Sequence, residues 1–188
     1  MNQNLLILGS RRLSAAAQEI AENMNCFAEI NCLSIQEEAL SAASFHTSNL
    51  LSQLSALSTQ YHYGIAVVKN TELRLRLLQE LEGCCYTVTT LIHPFTSVST
   101  FASLGKGCMI EPGAVIEGES RIGDGVIVRA GSIVCSYSLV GEGSYLGLRS
   151  VVKEGALITP GTEVAAGAVV SGIVGKIPTG VEAGEKRK

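Results

Sequence analysis

From Val98 to Val170 every sixth residue is a branched aliphatic: Val98, Leu104, Ile110, Ile116, Ile122, Val128, Val134, Val140, Leu146, Val152, Ile158, Val164 and Val170. These thirteen positions fall in register without an insertion or a miss. The residues four further on are mostly small, as at Ala102, Cys108, Ala114, Ser120, Ser132, Ser138, Ser144, Ser150, Ala156, Thr162 and Ala168. A beat this regular marks a solenoid, in which each unit buries its apolar residue only by stacking on its neighbours.

A period of six has a direct physical reading. Three short flat faces close one triangular coil, with the aliphatic of each face pointing inward and the small residues fitting the corners. Gly105, Gly123, Gly141 and Gly147 follow the aliphatic directly, and glycine supplies the positive φ that a tight corner asks for. Coils stack at the strand spacing of about 4.8 Å, so the repeats make a little over four coils and a prism roughly 20 Å tall.

The residues before the repeat read differently. Residues 4–9 form a buried strand ending at Gly9, and residues 12–24 a helix with apolar residues at helical spacing. A strand over 26–33, a helix at 49–58, a strand at 63–68, a helix at 71–82 capped by Asn70 or Thr71, and a strand at 86–92 follow. Strand–helix alternation of this kind argues a small parallel α/β domain. The expected organisation is therefore a Rossmann-like α/β domain over residues 1–92, a β-helix over 93–178, and a polar tail at 179–188.

The hydrophobic content of 46% supplies a core, and the net charge of −3, without a basic tract before the last residues, argues against nucleic-acid or anionic-membrane partners. No apolar run approaches the roughly 20 residues that span a bilayer, and Leu5–Leu8 is too short for a signal-peptide core. The six cysteines form no CxxC and read as reduced thiols of a cytoplasmic protein.

The hexapeptide beat resembles the hexapeptide-repeat superfamily, whose fold is a left-handed parallel β-helix. The junction Asn70-Thr71-Glu72-Leu73-Arg74 to Thr90-Leu91-Ile92-His93-Pro94, with the α/β domain placed first, looks like the sialic-acid O-acetyltransferase and UDP-bacillosamine N-acetyltransferase branch. The resemblance spans about residues 4–178. It implies a homotrimer that takes acetyl-CoA as co-substrate, needs no metal, and acylates an amine or hydroxyl of a sugar or nucleotide sugar in surface-polysaccharide or glycan-precursor synthesis. It also implies a general-base histidine beside a carboxylate and backbone N–H groups that polarise the thioester carbonyl.

The departures from that pattern are specific. The family's catalytic stretch fits Val115-Ile116-Glu117-Gly118-Glu119-Ser120-Arg121-Ile122-Gly123, which places Gly118 where the histidine belongs and Glu119 at the carboxylate. A second register, one coil later, places Ser136 and Tyr137 there; the first is preferred because Tyr145-Leu146-Gly147 then matches the aromatic-Ile-Gly pattern downstream. The chain's histidines are His46, His62 and His93, so none lies in the repeats after the junction. Glu117 or Glu119 replaces the base if desolvation raises its pKa toward neutrality; the plain alternative is two solvated carboxylates. His93 reads as structural, bonded to a backbone carbonyl near Pro94.

The turn after the first strand, Gly9-Ser10-Arg11-Arg12, holds one glycine, where a dinucleotide fingerprint needs three. NAD is thereby disfavoured. Backbone N–H groups at the helix start, with Arg11 and Arg12, suit an anionic acceptor such as a nucleotide sugar, although two solvated arginines would look the same in sequence. On the donor side, Ala166-Gly167-Ala168 matches the last-coil segment where small residues leave room for the pantetheine arm, with Gly147 and Leu148 one coil below. The closing Gly-x-Pro-Ala of the family is only approximated by Gly175-Lys176-Ile177-Pro178. Two functions compete: an acetyl-CoA-dependent acyltransferase, and a catalytically impaired trimeric binding or scaffold protein of the same fold. Zinc-dependent carbonic anhydrase chemistry needs three histidines from adjacent coils, which the repeats do not hold.

Overall fold

A computed structural model describes residues 3–35 and 47–175. Residues 176–188, which include most of the closing segment and the polar tail, lie outside the described residues, as does His46. The α/β part runs β1 (Asn4–Gly9), α1 (Arg11–Met24), β2 (Glu29–Ser34), α2 (Thr47–Leu57), β3 (Tyr63–Val67), α3 (Thr71–Gly83) and β4 (Thr87–Val88). Its strands form one parallel sheet in the order β2-β1-β3-β4. Every residue of β1 is buried, which is why it reads as an unbroken apolar run rather than an alternating one. α3 starts where Asn70 accepts a hydrogen bond from the Leu73 N–H at 2.9 Å, so Asn70, not Thr71, is the cap. Glu72 in the first turn complements the helix dipole.

Fifteen two-residue strands follow, β5 (Leu91–Ile92) to β19 (Ile173–Val174), stacked as three five-stranded parallel sheets. The chain is thus a Rossmann-like α/β unit followed by a left-handed parallel β-helix. Face I carries Leu91–Ile92, Met109–Ile110, Ile127–Val128, Tyr145–Leu146 and Glu163–Val164. Face II carries Ser97–Val98, Val115–Ile116, Ile133–Val134, Val151–Val152 and Val169–Val170. Face III carries Ser103–Leu104, Arg121–Ile122, Leu139–Val140, Leu157–Ile158 and Ile173–Val174. The second residue of each pair except Ile173–Val174 falls on the six-residue beat, and from Ile110 to Val164 all are buried in one interior column. Each such side chain contributes roughly 1.5–3 kcal/mol of burial. Most of the small residues four further on are buried too, Ala102, Thr162 and Ala168 being half-buried, and Ser120 Oγ donates to the Glu117 carbonyl and Ser132 Oγ to that of Gly147.

The structure corrects three details. The strand expected over 86–92 is two strands in different sheets, because β4 pairs with β3 while β5 pairs with Met109–Ile110. The beat continues past Val170, but the last step is short: Ile158 pairs with Val174, the turn tightening through Gly172 at φ 66°. Finally, Gly105, Gly123, Gly141 and Gly147 are not among the positive-φ residues. They are glycine because coils touch there. A Cβ on Gly105 would lie 2.4 Å from Asp124 Oδ1, and one on Gly141 2.4 Å from the Pro160 nitrogen.

Two contacts seat the α/β unit on the prism. Leu91, Met109 and Ile127, on the outer side of face I, are fully buried in one cluster with Leu5, Ile7, Leu13, Ala17, Ile20, Ile65 and Val67. α3 lies along the edge between faces III and I, past Gly107, Gly125 and Gly143, whose φ values are 67°, 63° and 63°. Arg74 of α3 is fully buried and donates to the carbonyls of Val68, Lys69, Gly125 and Gly143.

Candidate active site

The chain leaves β1 for neighbours on opposite sides, β2 and then β3. The carboxyl ends of β1 and β3 therefore flank a topological switch point, the usual crevice for ligands of open α/β sheets. Gly9 ends β1 where α1 and β3 come close: a Cβ there would meet Ser14 Oγ at 2.4 Å and the Val67 carbonyl at 2.9 Å. Ser10 is the N-cap residue of α1 yet makes no side-chain capping bond, which leaves the first turn's N–H groups open to an anion. Beside it, on the β2 side of β1, a cleft of about 390 Å³ is lined by Gly9, Arg11, Ser14, Ala15, Gln18, Cys32 and Ser34. Gly9 and Arg11 of the sequence candidates line it; Arg12 is exposed and does not. Ser14 was not foreseen. Its Oγ is buried and has no hydrogen-bond partner among the described residues. Burial raises the pKa of the Cys32 thiol, with Glu22 adding to it.

The remaining candidates divide between two edges of the prism. At the edge between faces II and III, Glu119 and Tyr137 occupy successive corners with φ values of 59° and 60°. The Tyr137 N–H donates to the Gly118 carbonyl at 3.3 Å, so the two competing registers are one place in the fold, stacked a coil apart. Glu117 Oε2 accepts from the Ser136 N–H at 2.9 Å and from Ser136 Oγ at 3.1 Å. Glu111 Oε2 holds the Ala130 N–H in the same way, at 2.9 Å. Both carboxylates cap the next coil. Glu119 is exposed and lines a shallow cleft of about 320 Å³ with Phe101, Ser103, Ser120 and Arg121.

At the edge between faces I and II, a groove of about 800 Å³ is lined by Pro112, Ala130, Gly131, Leu148, Arg149, Ala166 and Gly167. Leu148, Ala166 and Gly167 thus come together. Gly147 stands behind them, where a Cβ would lie 2.6 Å from the Ala166 nitrogen, and Ala168 packs on the interior column. The groove is separated from the edge bearing Gly118 and Ser136 by the whole of face II.

Sequence reasoning missed a polar cluster on face I, next to the groove residue Ala130. Arg129, next to Ala130, forms an ion pair with the buried Glu111 at 2.6 Å, and its Nη1 donates to the Tyr145 hydroxyl at 2.5 Å. Lys69, just past the end of β3, places its ammonium 5.7 Å from the centroid of the Tyr145 ring and pairs with Glu163 at 2.8 Å. The available signal was a spacing: Glu111 and Arg129 are one coil apart in the sequence.

His93 is buried, and its Nδ1 accepts from the Phe95 N–H at 3.0 Å. Its partner is a backbone donor, not the carbonyl expected. His62 is exposed at the opposite end of the sheet, before β3. Among the described residues no three His, Cys, Asp or Glu side chains are grouped to hold a metal ion, and no helix is long and apolar enough to cross a membrane.

Comparison with known proteins agrees with this architecture. Residues 101–136 match the family model described as bacterial transferase hexapeptide (six repeats). The acetyltransferase domain of PglB from Neisseria gonorrhoeae, solved with acetyl coenzyme A, superposes with a TM-score of 0.74 at 22% identity, covering 93% of each chain. PerB from Caulobacter crescentus, solved with CoA and GDP-perosamine, gives 0.68 at 21% identity over 91% of this chain and 90% of that one. WeeI from Acinetobacter baumannii gives 0.61 at 16% identity, covering 92% and 94%. No curated protein is recognisably similar in sequence.

Proposed function

We propose that this hexapeptide-repeat protein transfers an acetyl group from acetyl-CoA to an amine or hydroxyl of a sugar or nucleotide sugar. The observation that carries the reading is the groove formed by Ala130, Gly131, Leu148, Ala166 and Gly167, whose mostly small lining leaves room for a narrow arm such as pantetheine. The structural relatives solved with acetyl coenzyme A, and with CoA and GDP-perosamine, support both halves of this assignment. The acceptor sits in the cleft at the carboxyl end of β1, its anionic part against the start of α1 and Arg11. Six free cysteines support a reducing, cytoplasmic setting.

The active assembly in this reading is a homotrimer. The outer side of face II is a column of Val115, Ile133, Val151 and Val169, and the corners beside it carry Phe95 and Phe101, which are 80% and 75% exposed. Three copies closing a ring with this face inward cover it. The same closure brings the groove edge of one copy against the Gly118–Ser136 edge of the next, uniting the two halves of the candidate site that a single chain keeps apart.

The catalytic step is addition of the acceptor nitrogen or oxygen to the thioester carbon. The C–S bond then breaks, and the acceptor's proton ends on the thiol of CoA. A second reading, a trimeric scaffold that binds CoA or a sugar nucleotide without turnover, is favoured by one observation: Gly118 and Ser136 stand where the base histidine belongs. Free-thiol release from acetyl-CoA with a panel of UDP-, GDP- and dTDP-amino-sugars and sialic-acid-like acceptors separates the two. Turnover with any acceptor supports the enzyme; CoA binding without turnover supports the scaffold.

A further inference from the structure

The Arg129–Tyr145 pair has a direction. A guanidinium only donates, so the Tyr145 oxygen accepts from Arg129 and its own proton must point elsewhere. A charge-assisted hydrogen bond received by a hydroxyl oxygen polarises the O–H and makes it a stronger donor. Arg129 is ion-paired with the buried Glu111, whose other carboxylate oxygen accepts from the Ala130 N–H. Tyr145 is half-buried, and the cations of Arg129 and of Lys69, the latter paired with Glu163, lie 5.9 Å and 5.7 Å from its ring centroid. The residue next to Arg129, Ala130, lines the groove. The hydroxyl is thus held by the residue that precedes the groove lining, on the side of the prism that faces Lys69 and the end of β3.

We infer that Tyr145 is a pre-oriented hydrogen-bond donor to the thioester carbonyl oxygen of the bound acetyl group, with Arg129 and Glu111 as its positioning residues. The inference rests on the acyl-transfer reading above. As the acceptor adds to the carbonyl carbon, the electron pair of the C=O moves onto oxygen, and the Tyr145 O–H stabilises that oxyanion without surrendering its proton. When the pair returns, the C–S bond breaks. Such a donor acts in the transition state more than in the bound complex, which fits a chain that lacks the customary base and relies on the terms that remain.

The test is steady-state turnover of acetyl-CoA, read as thiol release, by the intact protein and its Tyr145→Phe and Tyr145→His variants. Tyr145→Phe is expected to lower kcat about 10²-fold, the loss typical of one oxyanion donor, with the KM for acetyl-CoA and CoA binding by calorimetry held within about twofold. Tyr145→His, which keeps a ring donor, is expected to recover part of the loss, an outcome that a purely structural role for the ring does not give. A Tyr145→Phe protein with wild-type kcat, or with a raised KM alone, overturns the inference and leaves the acyl-transfer reading standing. A wild-type protein without turnover on any acceptor overturns the reading, and the inference with it.

Discussion

Arg74, on a helix of the α/β unit, donates through Nε to the carbonyl oxygen of Gly125, on an edge of the prism, at 2.7 Å. The same guanidinium reaches the Gly143 carbonyl one coil higher and the Val68 carbonyl at the end of β3. One buried side chain thus ties together two successive coils and the carboxyl end of β3. Replacing it by Met leaves these carbonyls buried with their donor removed, at about 1–3 kcal/mol for each unsatisfied group. The expected result for Arg74→Met is a loss of about 3 kcal/mol or more in urea unfolding. Arg74→Lys restores little, because an ammonium cannot reproduce the planar fork.

Gly143 and Gly155 share a left-handed backbone, at φ 63° and 66°, but differ in surroundings. A Cβ on Gly143 would lie 2.5 Å from Thr71 Cγ2, whereas one on Gly155 meets nothing within 4 Å. Gly155→Ala should cost about 1 kcal/mol, the backbone term alone. Gly143→Ala should cost about 1–3 kcal/mol more, since overpacking adds to it. Equal melting temperatures for the two variants would show that α3 does not press on this edge.

Gly118 has room for a side chain. The nearest atoms to a Cβ added there would be Ser99 Oγ at 3.3 Å and Phe101 Cβ at 3.7 Å, and the residue needs no positive φ. Gly118→His should therefore fold and, by restoring a general base, raise kcat by up to about 10²–10⁴-fold. Ser136→His is the parallel experiment for the register one coil above, and it also removes the Oγ bond to Glu117. A gain from Ser136→His but not from Gly118→His would reverse the preferred register.

Ile133 sits mid-column on the outer side of face II, between Val115 and Val151. Ile133→Lys places a charge at the centre of the face assigned to the trimer. Light scattering should then give the monomer mass, and acetyl-CoA turnover should fall to background with the fold retained by circular dichroism. A trimeric and active Ile133→Lys protein would rule out face II as the interface.

Burial pushes the Cys108 thiol up to about 12 from its ordinary 9.0, and the Tyr86 hydroxyl up to about 12 from 10.0, with lesser contributions from Cys84 and Tyr61. Both folded values exceed the unfolded ones. Their stabilisation is complete below about pH 9 and is lost as pH rises toward 12, where the unfolded chain has released protons that the folded chain keeps. Unfolding free energy should accordingly decline above pH 9, and more gently in Cys108→Ala. The substitution is mild because Ala102, Ala114 and Ala156 occupy equivalent corners. An unchanged slope would count against Cys108 as a source of the decline.

The amino-acid sequence by itself determined the prism and its inside. A period of six repeated through three faces leaves one orientation for Ile110, Ile116 and Ile122 and their successors, because any other would expose an entire column. It also determined the parallel α/β unit, since a run such as Leu5-Leu6-Ile7-Leu8 is stable only between two covered faces. What the tertiary structure alone decided is which residues share an edge. Gly118 and Ser136 compete for one role in the sequence and prove to be stacked neighbours, while Leu148 and Glu119 fall on edges that one chain holds apart. The clamp of Arg74 on Gly125 and Gly143, and the line from Glu111 through Arg129 to Tyr145, were equally invisible. The first uses backbone carbonyls, which every residue possesses and no residue type advertises. The second joins side chains on successive coils, a proximity set by how the coils stack and by where the α/β unit docks.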